Sequence, residues 1–211
     1  MSSTNRGANR AGLDRYYTPD DLARALVSTL HIPSSALVLE PSVGGGAFVN
    51  AVRQVAGANI FAIDVDPAAP GLDNTTKRRF TAGRVFIGDF LSHQFTVGDL
   101  APYDGFDYIV GNPPFNDAEA HVRRARALVK PGGTVAFLLR LAFLEGAKRK
   151  AFWFAHRPAC VTVLVEGPSF TGGGTDSCPY GWFVWHHSRF DTTLDWLSWK
   201  AFARRTNKAA L

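Results

Sequence analysis

Residues 106–115 read Phe-Asp-Tyr-Ile-Val-Gly-Asn-Pro-Pro-Phe, so an amide, two prolines and an aromatic ring follow directly on an apolar run. Two successive prolines remove two backbone donors and fix φ, leaving carbonyl oxygens in a defined direction. The Asn112 side-chain oxygen and the Pro113 carbonyl can then accept both hydrogens of one planar amino group. Pro114 stiffens the turn, and Phe115 offers a face for a flat acceptor, with an aromatic benefit of about 1 kcal/mol beyond burial. A nitrogen conjugated with a ring or a carbonyl is a poor nucleophile. Fixed acceptors favour its ammonium-like transition state, which suits in-line transfer of an activated methyl group without metal or covalent intermediate.

Three upstream segments supply a plausible nucleotide pocket. The run Val38 to Phe48 reads VLEPSVGGGAF, with an acid and three glycines where a strand turns into a helix. Gly44 and Gly46 can take positive φ and let the main chain approach a ligand at the helix N-terminus. A plain tight turn uses glycine in the same way. Twenty residues after Gly44, Asp64 ends IFAID, where an acid can accept both ribose hydroxyls. Asp66, directly before Pro67, reads as a turn cap. In Gly88-Asp89-Phe90, Asp89 can take the hydrogens of an adenine amine and Phe90 can pack on its ring, although Gly-Asp-Phe alone is just a turn.

The elements that position these groups follow from apolar patterning. Strands are expected over Ala36–Glu40, Asn59–Asp64, Arg84–Gly88, Phe106–Gly111, Thr134–Arg140, Cys160–Glu166 and Gly181–His187. Helices are expected over Pro19–Leu30, Ala47–Ala56, Asp117–Val129 and Phe143–His156, with Asn116 as the N-cap of the third. Pro67 to Ala82 reads as a loop or one short turn. The Gly172, Gly173, Gly174 triplet reads as a loop able to cover a substrate. Trp182 to Trp185 read as strand and core.

The order YYTP, EPSVGGGAF, IDVDP, GDF, DYIVGNPPF, spread over Tyr16 to His186, resembles the amino-methyltransferases that modify adenine in DNA. The resemblance implies an α/β, Rossmann-like class I methyltransferase fold: seven mostly parallel strands with an antiparallel last strand, and helices on both faces. It implies S-adenosyl-L-methionine as cofactor. Tyr17, Thr18 and Pro19 would close over its methionine end beside Glu40, and Pro41, Gly44, Gly46, Phe48, Asp64, Asp89, Phe90 and Asn112 complete the cofactor set. Asn112, Pro113, Pro114 and Phe115 form the catalytic set. The later PSFTGGGTDSCPYGWFVW resembles small methyltransferases often encoded by phages, with Phe170 matching the aromatic that sandwiches a flipped base against Phe115. Extrusion makes physical sense, because the amine of a paired adenine is tied up in the duplex.

At 211 residues and 46% hydrophobic, the chain suits one core. The expected organisation is a tail over 1–14, a methyltransferase domain over 15–200 and a basic tail over 201–211. No apolar run reaches membrane length and the first residues hold no signal-peptide core, so a cytoplasmic location is expected. Cys160 and Cys178 have no metal-ligand spacing and read as reduced thiols. The formal charge of +5 suits a polyanion, with DNA the expected partner. No insertion is large enough for a target-recognition region, so specificity rests on short loops, a separate subunit or a homo-oligomer. Adenine in RNA, a protein glutamine amide and a non-catalytic binding module on the same fold remain alternatives. Phe115 leans toward a nucleobase, since glutamine-modifying relatives usually show Tyr there.

Overall fold

Alternation of burial along the strands decides the layering. In β1 (Leu37–Glu40), Leu37 and Leu39 enter one core and Val38 the other. The same split recurs in β2 (Asn59–Asp64), β4 (Phe106–Gly111), β5 (Val129–Arg140) and β7 (Tyr180–His186), each of which sends side chains into both cores. A sheet apolar on both faces needs helices on both, and it has them. The computed structural model describes residues 17–72, 84–94, 104–170, 177–186 and 191–209.

On one face lie α1 (Asp20–Ser28) and α2 (Ala47–Val55), packed against each other. α1 buries Leu22, Ala23, Leu26 and Val27, and Asp20 and Asp21 sit in its first turn, where the helix dipole favours acids. Phe48 of α2 stacks on Trp182 of β7, ring centroids 5.5 Å apart at 6°. The opposite face carries α3 (Ala118–Leu128) and α4 (Lys150–Ala155), whose Val122, Ala125 and Phe152 pack with Phe137, Val161 and Trp185.

The sheet has eight strands in the order β3-β2-β1-β4-β5-β7-β6-β8, with β3 at Val85–Ile87, β6 at Cys160–Leu164 and β8 at Thr193–Leu197. Among the described residues, only β7 runs antiparallel to its neighbours, β5 and β6. β1 lies between β2 and β4, and the chain leaves β1 toward β2 but leaves β4 toward β5. Connections diverge there, so a crevice opens beyond the carboxyl ends of β1 and β4.

Several expectations need correction. The sheet gains β8, whose Leu194 and Trp196 alternate with Thr193 and Asp195 but are more than half exposed. The helix expected over Phe143–His156 is broken at Gly146 (φ 117°): two 3-10 turns, Leu141–Leu144 and Ala147–Arg149, precede the short α4. Asn116 caps nothing. It lies inside a 3-10 turn, Phe115–Asp117, and Asp117 takes the N-cap position of α3. β5 starts at Val129, with a register shift that accommodates Pro131 and two glycines. The segment read as a basic tail forms α5 (Trp199–Ala209), which packs on α1 and buries Ala203. The tail over 1–14 and the Gly172–Gly174 loop lie outside the described residues. Among the described residues, no helix is long and apolar enough to cross a membrane.

Candidate functional site

The glycine turn after β1 has the backbone its residues allow. Gly44 and Gly46 sit at φ 49° and 83°, and Gly46 is the N-cap of α2. A Cβ on Gly45 would stand 3.3 Å from the Tyr17 ring, so Tyr17 lies across this turn. Thr18 then reaches the other half of the crevice, where its Oγ1 accepts a hydrogen bond of 3.2 Å from Asn112 Nδ2. The bond engages the NH₂ end of the amide, and Asn112 Oδ1 is a buried atom of a residue in the crevice wall. Residues far apart in sequence, Tyr17-Thr18 and Asn112, thus bridge the two loops of the switch point. Pro19 takes the N-cap position of α1.

The acids differ sharply in surroundings. Glu40 is 1% exposed, and its Oε2 meets no hydrogen-bond donor. Burial pushes its carboxyl well above the ordinary range; the Val49 backbone bond opposes this and the Asp64 charge adds to it. Asp64, at the carboxyl end of β2, accepts from Gly44 N at 2.8 Å and from Asp66 N at 2.9 Å. Each carboxylate oxygen keeps a second lone pair for a ligand. Asp66 Oδ1 accepts from Ala68 N, the turn-capping role expected of it. Asp89 likewise closes a turn through Leu91 N and Ser92 Oγ, while remaining in the wall of the crevice.

The crevice is a cavity of about 640 Å³. Asp89 and Phe90 lie in its wall, as do Asp64, Gly44, Pro41 and Tyr17, and Asn112 to Phe115. Phe48 does not reach it: its ring is core, so only the helix start that it anchors faces the crevice. Phe170 is 8% exposed and meets Phe115 edge-on, centroids 6.3 Å apart at 64°. No parallel slot separates the two rings in this form. Instead the Arg140 guanidinium lies 4.7 Å over the Phe115 ring, with Nε 3.4 Å from Tyr180 Oη.

Sequence reasoning missed Arg140, His121 and Gly71. Arg140 ends an otherwise apolar strand at the sheet's functional edge, a signal that was available. His121 interrupts the apolar stripe of α3 formed by Ala118, Val122 and Ala125, which was equally legible. Gly71 had no local signal, because its role lies in contact with Gly46. Among the described residues, no group of three or more His, Cys, Asp or Glu could hold a metal.

No family model matches the chain. Over 112 residues it is 24% identical to the type II methyltransferase M.HincII of Haemophilus influenzae, a match covering 51% of this chain and 18% of that protein. It is 31% identical over 121 residues to the type I restriction enzyme MjaIX methylase subunit of Methanocaldococcus jannaschii, covering 53% of this chain and 21% of that one. The chain therefore spans about a fifth of the length of the curated relatives it matches. Among solved structures, one assigned to the class I S-adenosylmethionine-dependent methyltransferases, from Listeria monocytogenes, superposes with a TM-score of 0.67 at 14% identity, over 98% of this chain and 74% of that one. The fold is the class I methyltransferase fold, carrying an eighth strand.

Proposed function

We propose that this chain transfers a methyl group from S-adenosyl-L-methionine to the exocyclic amine of adenine in DNA, through one domain to which α5 also belongs. The observation that carries the reading is the Thr18–Asn112 bond, which fixes the amide of the Asn-Pro-Pro-Phe turn across the crevice from Gly44 and Asp64. Two of the matched relatives, one named a type II methyltransferase and the other a methylase subunit of a type I restriction enzyme, support DNA as the substrate.

The residues fit the cofactor. Glycines without Cβ, an acid at the end of β2, a buried acid with an unmet oxygen and a nucleoside-sized cavity adjoin one another. Asp64 would hold the ribose and Asp89 with Phe90 the adenine. Glu40, Pro41, Gly44, Gly46 and the Tyr17-Thr18-Pro19 segment would hold the methionine end, with Phe48 anchoring the helix behind them. When bound, the cofactor supplies an electrophilic methyl on a sulfonium.

The protein's own work is on the acceptor. Asn112 Oδ1 and the Pro113 carbonyl take the two amine hydrogens and orient the nitrogen, and Pro114 keeps the turn from relaxing. On transfer, the nitrogen would bond the methyl carbon as that carbon's bond to sulfur breaks and leaves a neutral thioether, and it would shed one proton to solvent. For a base to stack on Phe115 with Phe170 near, Arg140 must leave the ring face. This reading places the protein in the cytoplasm, with a separate specificity subunit or a second copy supplying sequence recognition.

Tritium transfer from labelled cofactor onto duplex DNA, RNA and protein, assayed separately, tests it. Label in DNA as N6-methyladenine is expected. Label confined to RNA or to glutamine would reassign the acceptor, and no binding at millimolar cofactor would leave only a silent module.

A further inference from the structure

His121 belongs to neither the glycine turn nor the Asn-Pro-Pro-Phe motif, yet it stands in the wall of the same crevice. It is 4% exposed on the buried stripe of α3, where a polar ring costs free energy unless its nitrogens find partners. One does: Nδ1 lies 3.0 Å from the main-chain oxygen of Asp117. A carbonyl oxygen only accepts, so Nδ1 carries the hydrogen and the neutral ring leaves a bare lone pair on Nε2. Burial lowers the pKa of His121, outweighing the bond to Asp117 and the charges of Asp117 and Asp89, so the ring stays neutral at physiological pH. The ring lines the crevice, and Nε2 is the nitrogen that the Asp117 bond does not engage, so it is the atom of His121 able to serve a ligand there.

The neighbours give this lone pair a purpose. His121 stacks on Phe90, centroids 5.4 Å apart at 28°, and Phe90 is itself 2% exposed, so the two rings form a rigid wall. The Asp89 carboxylate stands close enough to act on the imidazole's charge. This end of the crevice therefore presents two side-chain acceptors beside a flat aromatic wall. Such a pattern welcomes a ring bearing NH₂ and repels one bearing a carbonyl oxygen at the same place.

We propose that His121 Nε2 accepts one hydrogen of the 6-amino group of the cofactor's purine beside Asp89, making His121 a specificity-determining residue for 6-aminopurine over 6-oxopurine. The inference rests on the cofactor reading above and adds a residue that no sequence motif marks.

Calorimetric titration of the full chain with S-adenosylhomocysteine and S-inosylhomocysteine, which differ at the purine 6-position, tests it without turnover. The chain is expected to prefer the amino compound by about tenfold or more. His121→Phe keeps a ring against Phe90 but no acceptor, and should weaken S-adenosylhomocysteine by about fivefold and shrink the preference. His121→Gln, with a side-chain carbonyl, should recover part of it. An undiminished preference in a folded His121→Phe protein overturns the inference while leaving the methyltransferase reading intact. Binding of neither compound by the unaltered chain would remove both. Should the variants not fold, ¹⁵N-histidine spectra of the unaltered chain decide: a Nε2 signal that moves on adding S-adenosylhomocysteine supports the bond, and one unmoved at saturation refutes it.

Discussion

Gly46 and Gly71 pack main chain against main chain: a Cβ on Gly71 would stand 2.4 Å from the Gly46 nitrogen, and one on Gly46 would stand 2.8 Å from Gly71 Cα. Gly71 N also donates to Gly44 O at 2.8 Å. The segment after β2 thereby props the glycine turn from behind. Gly71→Ala forces the backbones apart and should cost about 1–3 kcal/mol. Thermal denaturation would show this as a fall of several degrees, accompanied by weaker binding of S-adenosylhomocysteine. An unchanged melting temperature would mean that the two segments are not coupled.

Glu40 links stability to pH. Its carboxyl is raised above the ordinary 4.5 by burial, despite the Val49 backbone bond, so the folded state holds the proton more tightly than the unfolded chain. The stabilisation is complete below 4.5 and is lost as pH rises through the elevated value. Glu40→Gln removes that loss. Its melting temperature should gain on the parent at pH 8 relative to pH 4, in the absence of cofactor. Parallel curves for the two proteins would refute the linkage.

The two half-sites should separate in binding and turnover. Asn112→Ala should abolish methyl transfer while leaving cofactor affinity within a few-fold. Asp64→Ala should chiefly weaken cofactor binding, and it should also destabilise by about 1–3 kcal/mol, because the Gly44 and Asp66 amides lose their acceptor. Calorimetry combined with single-turnover transfer distinguishes them. The opposite pattern would exchange the roles assigned to the two loops.

Arg140 should act on the acceptor and not on the cofactor. If a base displaced it from Phe115, the guanidinium would still stand at the crevice wall, where it could meet a phosphate. Arg140→Met should raise KM for DNA, leave the Kd for S-adenosylhomocysteine unchanged, and flatten the log–log salt dependence of DNA binding by about one unit. A salt slope equal to the parent's would sink this assignment.

Most of the sheet was legible because its buried strands are short runs of Val, Ile, Leu and Phe between polar turns. β8 was missed although Leu194 and Trp196 alternate with Thr193 and Asp195: the run is only five residues long, and the structure leaves both apolar side chains facing solvent. So was the break before α4: Phe143 to His156 holds enough apolar residues for a helix, and only Gly146 at φ 117° reveals the turn. Phe170 shows the limit for side chains. Its closeness to Phe115 followed from resemblance, but its edge-on packing depends on Tyr180, whose ring centroid lies 5.2 Å from it.

What the residues determined unaided is the local chemistry of each loop. Proline, glycine and a terminal acid act through their own backbone and their immediate neighbours, so the Asn112 turn, the Gly44 turn and the Asp64 position are readable from type and spacing. What only the tertiary structure decided is which groups meet. Thr18 reaching Asn112, Gly71 backing Gly46, Arg140 covering Phe115 and His121 lying on Phe90 all depend on the strand order and the packing of α1 and α3 against the sheet. Contacts across such distances in sequence are fixed by how two cores fill, and no local pattern records that.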